Sequence, residues 1–499
     1  MSIQRRGFFK LLAIGAVATA TGALTISCTS TTSATIDNLQ QTHTGARQLG
    51  YSDIAFGQKV DVLIVGSGAA GLSAAMAPSE AGKKVLIVDK NSLLGGDSFN
   101  ATGIMHVKGT ELQQKAGLSG TADDAWHERK QGLSDVSDQT MLKLLENICR
   151  AKTDWVNSAI SRYKSLFADP ATYVPSGTPE DVIMCKPSLG SMENVLTPIR
   201  DQLSMQGVSF RLNLTATYLI VDSNNIVSGV RFFAPDTFSN VDIAAEKVIV
   251  ATGGFSANGQ MMHQNLPGQE HIGSATYLAD GSGSKLCQLL NTTTTDMSKE
   301  ANLASDIPVV GGWGLFGPIV AVGPDAKRFA REDQQFACSN ACQWRGLGYW
   351  WSIFDNQLAS GVQASSIAKI TQKQGNRYVG ACDSTDALAQ ATGLSASQLK
   401  DTLSTYNSAA NKGDDADFGK KSFLRPLSSP LYAFKQYPVR IRTIGGMRTD
   451  DNARLMNTSG ATVQNVFCCG SCAAGRSEGM LDDAAFGLIA GRTATAELS

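Results

Sequence analysis

Val60-Asp61-Val62-Leu63-Ile64-Val65-Gly66-Ser67-Gly68-Ala69-Ala70-Gly71, followed at Val85-Leu86-Ile87-Val88 by Asp89, is the stretch that decides the fold. It reads as an apolar strand, a tight glycine turn, a helix, a second strand and a terminal acid, the order that a dinucleotide site requires. Gly66 permits the turn, Gly68 lets backbone approach a pyrophosphate, and Gly71 lets the helix pack on the strand. Ser67, Ala69 and Ala70 complete the turn and the helix N-terminus, whose N–H groups and positive dipole favour phosphate. Asp89, with Lys90 beside it, stands where ribose hydroxyls need an acceptor. A lone GxGxxG is weak; the flanking apolar strands and the placed acid favour a nucleotide site over a purely structural glycine turn.

Glycine-rich turns then recur along the chain. Leu94-Gly95-Gly96-Asp97-Ser98 follows the second strand, and Ala251-Thr252-Gly253-Gly254 follows Val248-Ile249-Val250. Asp280-Gly281-Ser282-Gly283 comes next, and Cys468-Cys469-Gly470-Ser471 precedes Ala485-Phe486-Gly487 near the C-terminus. Such turns at both ends suit one long cofactor lying across a discontinuous domain. Two further segments are distinctive: residues 406–433, from Tyr406-Asn407 to Pro430-Leu431-Tyr432-Ala433, and the turn Thr443-Ile444-Gly445-Gly446-Met447. With these motifs in order, the chain from residue 59 to 499 resembles the FAD-binding flavoproteins of the fumarate reductase and succinate dehydrogenase superfamily. The resemblance implies an α/β fold: a discontinuous Rossmann-like FAD-binding domain with an inserted α+β clamp domain. It places the FAD domain at 59–299 and 438–499 and the clamp at 300–437. It implies FAD contacts from the turns quoted above, with Gly445 and Gly446 facing the flavin.

Gln4-Arg5-Arg6-Gly7-Phe8-Phe9-Lys10, ahead of a weakly apolar run to Ile26, resembles a twin-arginine export signal over residues 1–28. The apolar run falls short of the ~20 residues of a membrane span. Leu24-Thr25-Ile26-Ser27-Cys28 approximates a lipoprotein site, which leaves a lipid anchor at Cys28 and ordinary cleavage both open. Residues 29–58, rich in Ser, Thr and Gln at their start, read as a flexible tether. The expected location is periplasmic. Net charge of -1 offers no electrostatic case for nucleic acid. Of the 10 cysteines, Cys338, Cys342, Cys469 and Cys472 together lack an iron–sulfur or zinc spacing, and no CxxCH occurs, so neither metal nor attached haem is expected. Mostly reduced thiols are expected, with Cys469–Cys472 or Cys338–Cys342 as alternative bridges.

In the flavoproteins this chain resembles, cationic clamp side chains hold an unsaturated acid while flavin N5 delivers hydride and an arginine delivers the proton. Several positions depart from that pattern. In Lys327-Arg328-Phe329-Ala330-Arg331-Glu332, Arg331 replaces an asparagine, and Phe336 occupies the slot of the proton-donating arginine. Arg442 replaces a histidine, and the loop Gly475-Arg476-Ser477-Glu478-Gly479-Met480 is shorter, closer to that of 3-ketosteroid dehydrogenases. The candidate substrate groups are Arg442, Arg440 on the same strand face two residues earlier, Arg476, and the N–H of Gly479; each arginine could instead be a surface charge or a phosphate contact. Glu478, Tyr349 and His106 are candidate acids, against core packing for Tyr349 and a structural role for His106. The resemblance implies reduction of a small molecule with an activated C=C bond, an α,β-unsaturated acid or enone. A separate donor, a periplasmic cytochrome c or a quinol dehydrogenase, would supply the electrons. A ketone-desaturating dehydrogenase of 3-ketosteroid type and a flavin electron-transfer subunit are the alternatives.

Overall fold

The computed structural model describes residues 54–498 apart from 102–103, 163–171, 174–181, 186–191, 225, 300–301, 307–317, 335 and four pairs between 362 and 374. The export-signal motif, Cys28 and most of the tether lie outside the described residues. Among the described residues, no helix is long and apolar enough to cross a membrane.

The strand Gln58–Val65 runs parallel to Val85–Val88 on one side and to Ser239–Val250 on the other. Ser209–Arg211 extends the sheet beyond Val85–Val88, and Thr462–Cys468 extends it beyond Ser239–Val250. The registers align Val65 with Val88 and Val250, and Val250 with Cys468. Glycine-bearing turns therefore leave the sheet at one carboxyl edge, where open α/β sheets bind ligands. The central strands are continuous apolar runs because both faces are covered. An antiparallel hairpin, Thr215–Val221 and Val227–Ala234, attaches to Ser239–Val250, as the alternation in residues 212–233 predicts.

Two helices cover one face at close range. Ala69–Glu80 is made almost wholly of small residues, and Met480–Ala496 lies against it. A Cβ on Gly487 or Gly491 would collide with the carbonyl oxygens of Ala70 and Ala74, so only glycine permits this approach. Gln139–Arg162 packs outside them, with Leu145, Ile148 and Trp155 buried as its helical period predicts. The Trp155 indole donates to Ser73 Oγ at 2.7 Å.

A second, smaller layer has its own core. Val320–Val322, Trp350–Asp355, Leu431–Gln436 and Tyr378–Cys382 form an antiparallel sheet in that spatial order. Leu388 and Leu399 from the helices Thr385–Thr392 and Ala396–Lys412 join Tyr406 and Leu431 in its core. Under it, the Arg328 guanidinium binds Glu332 and Asp415, each at 2.8 Å, and lies 4.5 Å over the Phe418 ring. Glu332 is fully buried and also accepts from the Ala321 N–H, so it fixes its loop.

The chain runs into and out of this capping layer through one antiparallel ribbon, Asn302–Ser305 against Pro438–Arg442. Its register carries a bulge: Asn302 faces Arg442 while Leu303 faces Arg440, leaving Ile441 as the extra residue. Cys149, Cys287, Cys338, Cys342, Cys382, Cys468, Cys469 and Cys472 are buried and free.

Candidate active site

At the carboxyl edge of the sheet lies a cavity of about 570 Å³, reaching from the first glycine turn to the ribbon. Gly66, Ser67, Gly68, Ala69 and Ala70 form its floor at one end. Gly66 has φ +107, and a Cβ there would strike the Ala251 carbonyl, so the turn demands glycine. Gly71 lies one residue deeper in the helix, where a Cβ would collide with the Gly66 carbonyl; its part is helix–strand packing. Asp89 is buried and accepts four hydrogen bonds, from Ser67 N and Oγ at 2.9 and 2.6 Å and from Asn91 N and Nδ2 at 2.9 Å. Ser67 Oγ accepts in turn from the Gly95 N–H, and Ser98 Oγ from the Ala69 N–H, both at 3.0 Å.

Lys90, Gly96, Asp97 and Ser98 line the cavity, whereas Gly95 and Asp280 stand behind them. Asp280 pairs with Lys90 at 2.6 Å; burial pushes its carboxyl up, but the hydrogen bonds from Lys90 and Ser282 outweigh that and hold it below its ordinary range. Asp97 accepts the N–H groups of Tyr277 and Leu278, and burial still pushes its carboxyl up. Ala251, Thr252, Gly253, Gly470 and Ser471 close the middle. Gly445 and Gly446 pack against the Asp296 and Cys472 carbonyls, and Ala485 and Phe486 are buried in the last helix; none of the four lines the cavity.

The far end belongs to the ribbon and the capping layer. Arg442 lines it, with Nη1 donating to Ser477 Oγ at 2.7 Å and Nε buried without a hydrogen-bond partner. Arg440 does not share its face. The bulge at Ile441 breaks the two-residue alternation, and Arg440 turns inward to the Ser256 and Gln269 carbonyls. Arg476 is also turned away, its guanidinium claimed by Asp296 at 2.8 Å and Asp135 at 3.0 Å. Glu478 and Gly479 do line the cavity. Tyr349 does not; one residue ahead of the strand Trp350–Asp355 it packs against the capping core, its ring under the Lys435 ammonium at 3.8 Å. His106 lies in a small sheet, paired with Val182, and is not among the lining residues.

Two groups here escape a reading of the sequence. Asp483, in the first turn of the last helix, lines the cavity and accepts from Ser471 Oγ at 2.9 Å. Burial pushes its carboxyl up against the opposing charge of Arg442. Its neighbour Asp482 forms a buried cluster with Arg129 at 3.1 Å and Lys152 at 3.0 Å. Asp482 also accepts the Glu478 N–H at 2.8 Å, and Arg129 donates to the Arg476 carbonyl, so the cluster holds the 475–479 loop in place. The acidic pair at a helix start is visible in sequence, but nothing there links it to partners in the first half of the chain.

A parallel sheet with phosphate-binding turns along one carboxyl edge, roofed by a separate layer, defines an FAD-dependent oxidoreductase. The chain belongs to the FAD binding domain family, whose model matches residues 61–488. It is 26% identical over 456 residues to a probable fumarate reductase of Shewanella frigidimarina, covering 88% of this chain and 75% of that one. It is 24% identical over 470 residues to a urocanate reductase of Eggerthella lenta, with the same shares of 88% and 75%. Among solved structures, the open conformation of a flavocytochrome c3 fumarate reductase matches with a TM-score of 0.66 at 24% identity, over 93% of this chain and 81% of that one. The cavity fits FAD. Gly253 and Gly479 line it and a Cβ on either would meet nothing within 4 Å, so these walls are pared to backbone where a ring or ribityl chain must pass.

Proposed function

We propose that this protein is a periplasmic FAD-dependent reductase of an activated carbon–carbon double bond, in an α,β-unsaturated acid or enone, supplied with electrons by a separate cytochrome c or quinol dehydrogenase. The observation that carries the reading is Arg442, the described lining cation at the ribbon end of the cavity, with one guanidinium nitrogen held by Ser477. The names of the similar proteins, a fumarate reductase and a urocanate reductase, support the same class of chemistry. FAD, when bound, supplies hydride transfer at flavin N5. The chain's own residues do the rest. Arg442, oriented by Ser477, binds the substrate carboxylate or carbonyl and stabilises negative charge developing at the α-carbon. Asp483 stands beside it as a carboxyl that burial makes easier to protonate, able to hold a proton for that carbon. The capping layer shields the site from water.

The test is anaerobic. The FAD-loaded protein is reduced with dithionite and mixed with a panel of unsaturated acids and enones while flavin absorbance is followed. Reoxidation by one group identifies a reductase of that group. No reoxidation by any, together with bleaching of the oxidised protein by a saturated ketone, replaces this reading with a dehydrogenase.

A further inference from the structure

The substrate end of the cavity has an uneven charge. Among the described lining residues the cations are Lys90 and Arg442, and Lys90 is paired with Asp280 at the dinucleotide end. Glu478, Asp483 and Asp306 line the cavity too, Asp306 being matched by Arg377 at 2.7 Å and Glu478 by Arg129 at 3.6 Å, which leaves Asp483 facing Arg442. Arg442 therefore has the charge for one carboxylate, and the described lining offers no further cation for a second. The remaining wall is mixed, with Ser305 and Ser339 as its hydroxyls and an apolar strip beside Arg442. The helix Ala337–Trp344 packs on the ribbon, so Phe336 and Cys338 from that helix start and Val439 and Ile441 from the ribbon line the cavity with Arg442, as Met480 does. Phe336 has φ +64, a left-handed conformation rare for a residue with a side chain, so its surroundings must hold it there.

We infer that the substrate is an α,β-unsaturated monocarboxylic acid with an apolar, aryl-sized β-substituent, and that Phe336 sets this preference against dicarboxylates. The inference rests on the reductase reading above. Arg442 takes the single carboxylate and the β-substituent lies along Phe336, Ile441 and Met480. In turnover the β-carbon gains hydride from the reduced flavin and the α-carbon gains a proton, leaving a saturated acid and oxidised flavin. A second carboxylate at the β-carbon would be desolvated against an aromatic ring with no partner.

Stopped-flow reoxidation of the anaerobically reduced holoprotein by cinnamate, fumarate and 4-phenylbut-3-en-2-one tests this. Cinnamate is expected to be at least about tenfold faster than fumarate, the scale on which a pocket discriminates. The neutral enone is expected to be slower than cinnamate. The oxidised holoprotein gives a second measure, independent of turnover: 3-phenylpropionate should perturb the flavin spectrum at lower concentration than succinate. Phe336→Arg should shift both preferences towards the dicarboxylates, and Phe336→Leu should keep that for the aryl acids. Fumarate equal to or faster than cinnamate, with succinate binding as tightly as 3-phenylpropionate, overturns the substrate class and leaves the reductase standing. Reoxidation by none of the three, with no spectral perturbation by either saturated acid, overturns both.

Discussion

At position 441 one extra residue in a short strand changes what its neighbours can reach. The bulge sends Arg440 into backbone carbonyls and leaves Arg442 to line the cavity, although the two lie only two residues apart. Strand alternation predicts a shared face, and alternation carries no sign of a bulge, whose cause is the pairing with Asn302 and Leu303 far away in sequence. Arg442 is singled out in the sequence by the glycine turn Gly445-Gly446 that follows it, although neither glycine lines the cavity. Its charge and its planar fork make separable contributions. Arg442→Gln should keep FAD bound and lower kcat/KM by about 10²-fold or more, since a charge-assisted contact is lost from a buried site. Arg442→Lys should recover only part of that, because an ammonium lacks the paired donors. Steady-state kinetics on both variants, with flavin content measured alongside, checks this; unchanged kcat/KM in Arg442→Gln removes the residue from the site.

The last helix, Met480–Ala496, shows how one element can serve cofactor, loop and core at once. Its glycine face packs helix on helix, since Gly487 and Gly491 lie one turn apart against Ala70 and Ala74, where the sequence suggested a cofactor turn at Ala485-Phe486-Gly487. Gly487→Ala places a methyl against the Ala70 carbonyl, so the two helices must separate and the phosphate-binding turn must shift with them. The expected result is weaker FAD retention on dialysis and a lower melting temperature; full retention with unchanged melting would show that the helices relax freely. Its first turn carries the buried anion Asp482. Asp482→Asn leaves Arg129 and Lys152 buried together with only the half-exposed Glu478, 3.6 Å from Arg129, as counter-charge, which should cost about 3 kcal/mol. Denaturant unfolding of the holoprotein reads this directly, and a loss below about 1 kcal/mol would mean the cluster is hydrated. None of this cluster is legible in the sequence, because its members come from three helices joined only in the folded state.

Across the whole molecule, two buried carboxylates tie stability to pH in the same direction. In the main layer, burial would raise the Asp482 carboxyl, but Lys152 and Arg129 outweigh it and hold it well below the usual carboxylate range. In the capping layer, burial likewise opposes, and the Arg328 guanidinium prevails and lowers Asp415. Both groups bind protons less readily folded than unfolded, so their stabilisation is present above the unfolded pKa of about 4 and is lost as pH falls below it. Melting temperature of the holoprotein should hold between about pH 7 and 5 and drop steeply below about pH 4; a flat profile down to about pH 3 would contradict it. The broad architecture is the most legible level of all. Glycine turns after apolar strands are local signals, and those after Val65, Val88, Val250 and Cys468 mark the same sheet edge, whereas Gly487 lies inside a helix. The clamp's interior is less so, since Glu332 and Tyr349 are assigned by what packs against them.

The ribbon through which the chain enters and leaves the capping layer is also the strand that carries Arg442. A carboxylate bound by Arg442, as proposed above, would therefore be held by the same segment that joins the capping layer to the main sheet.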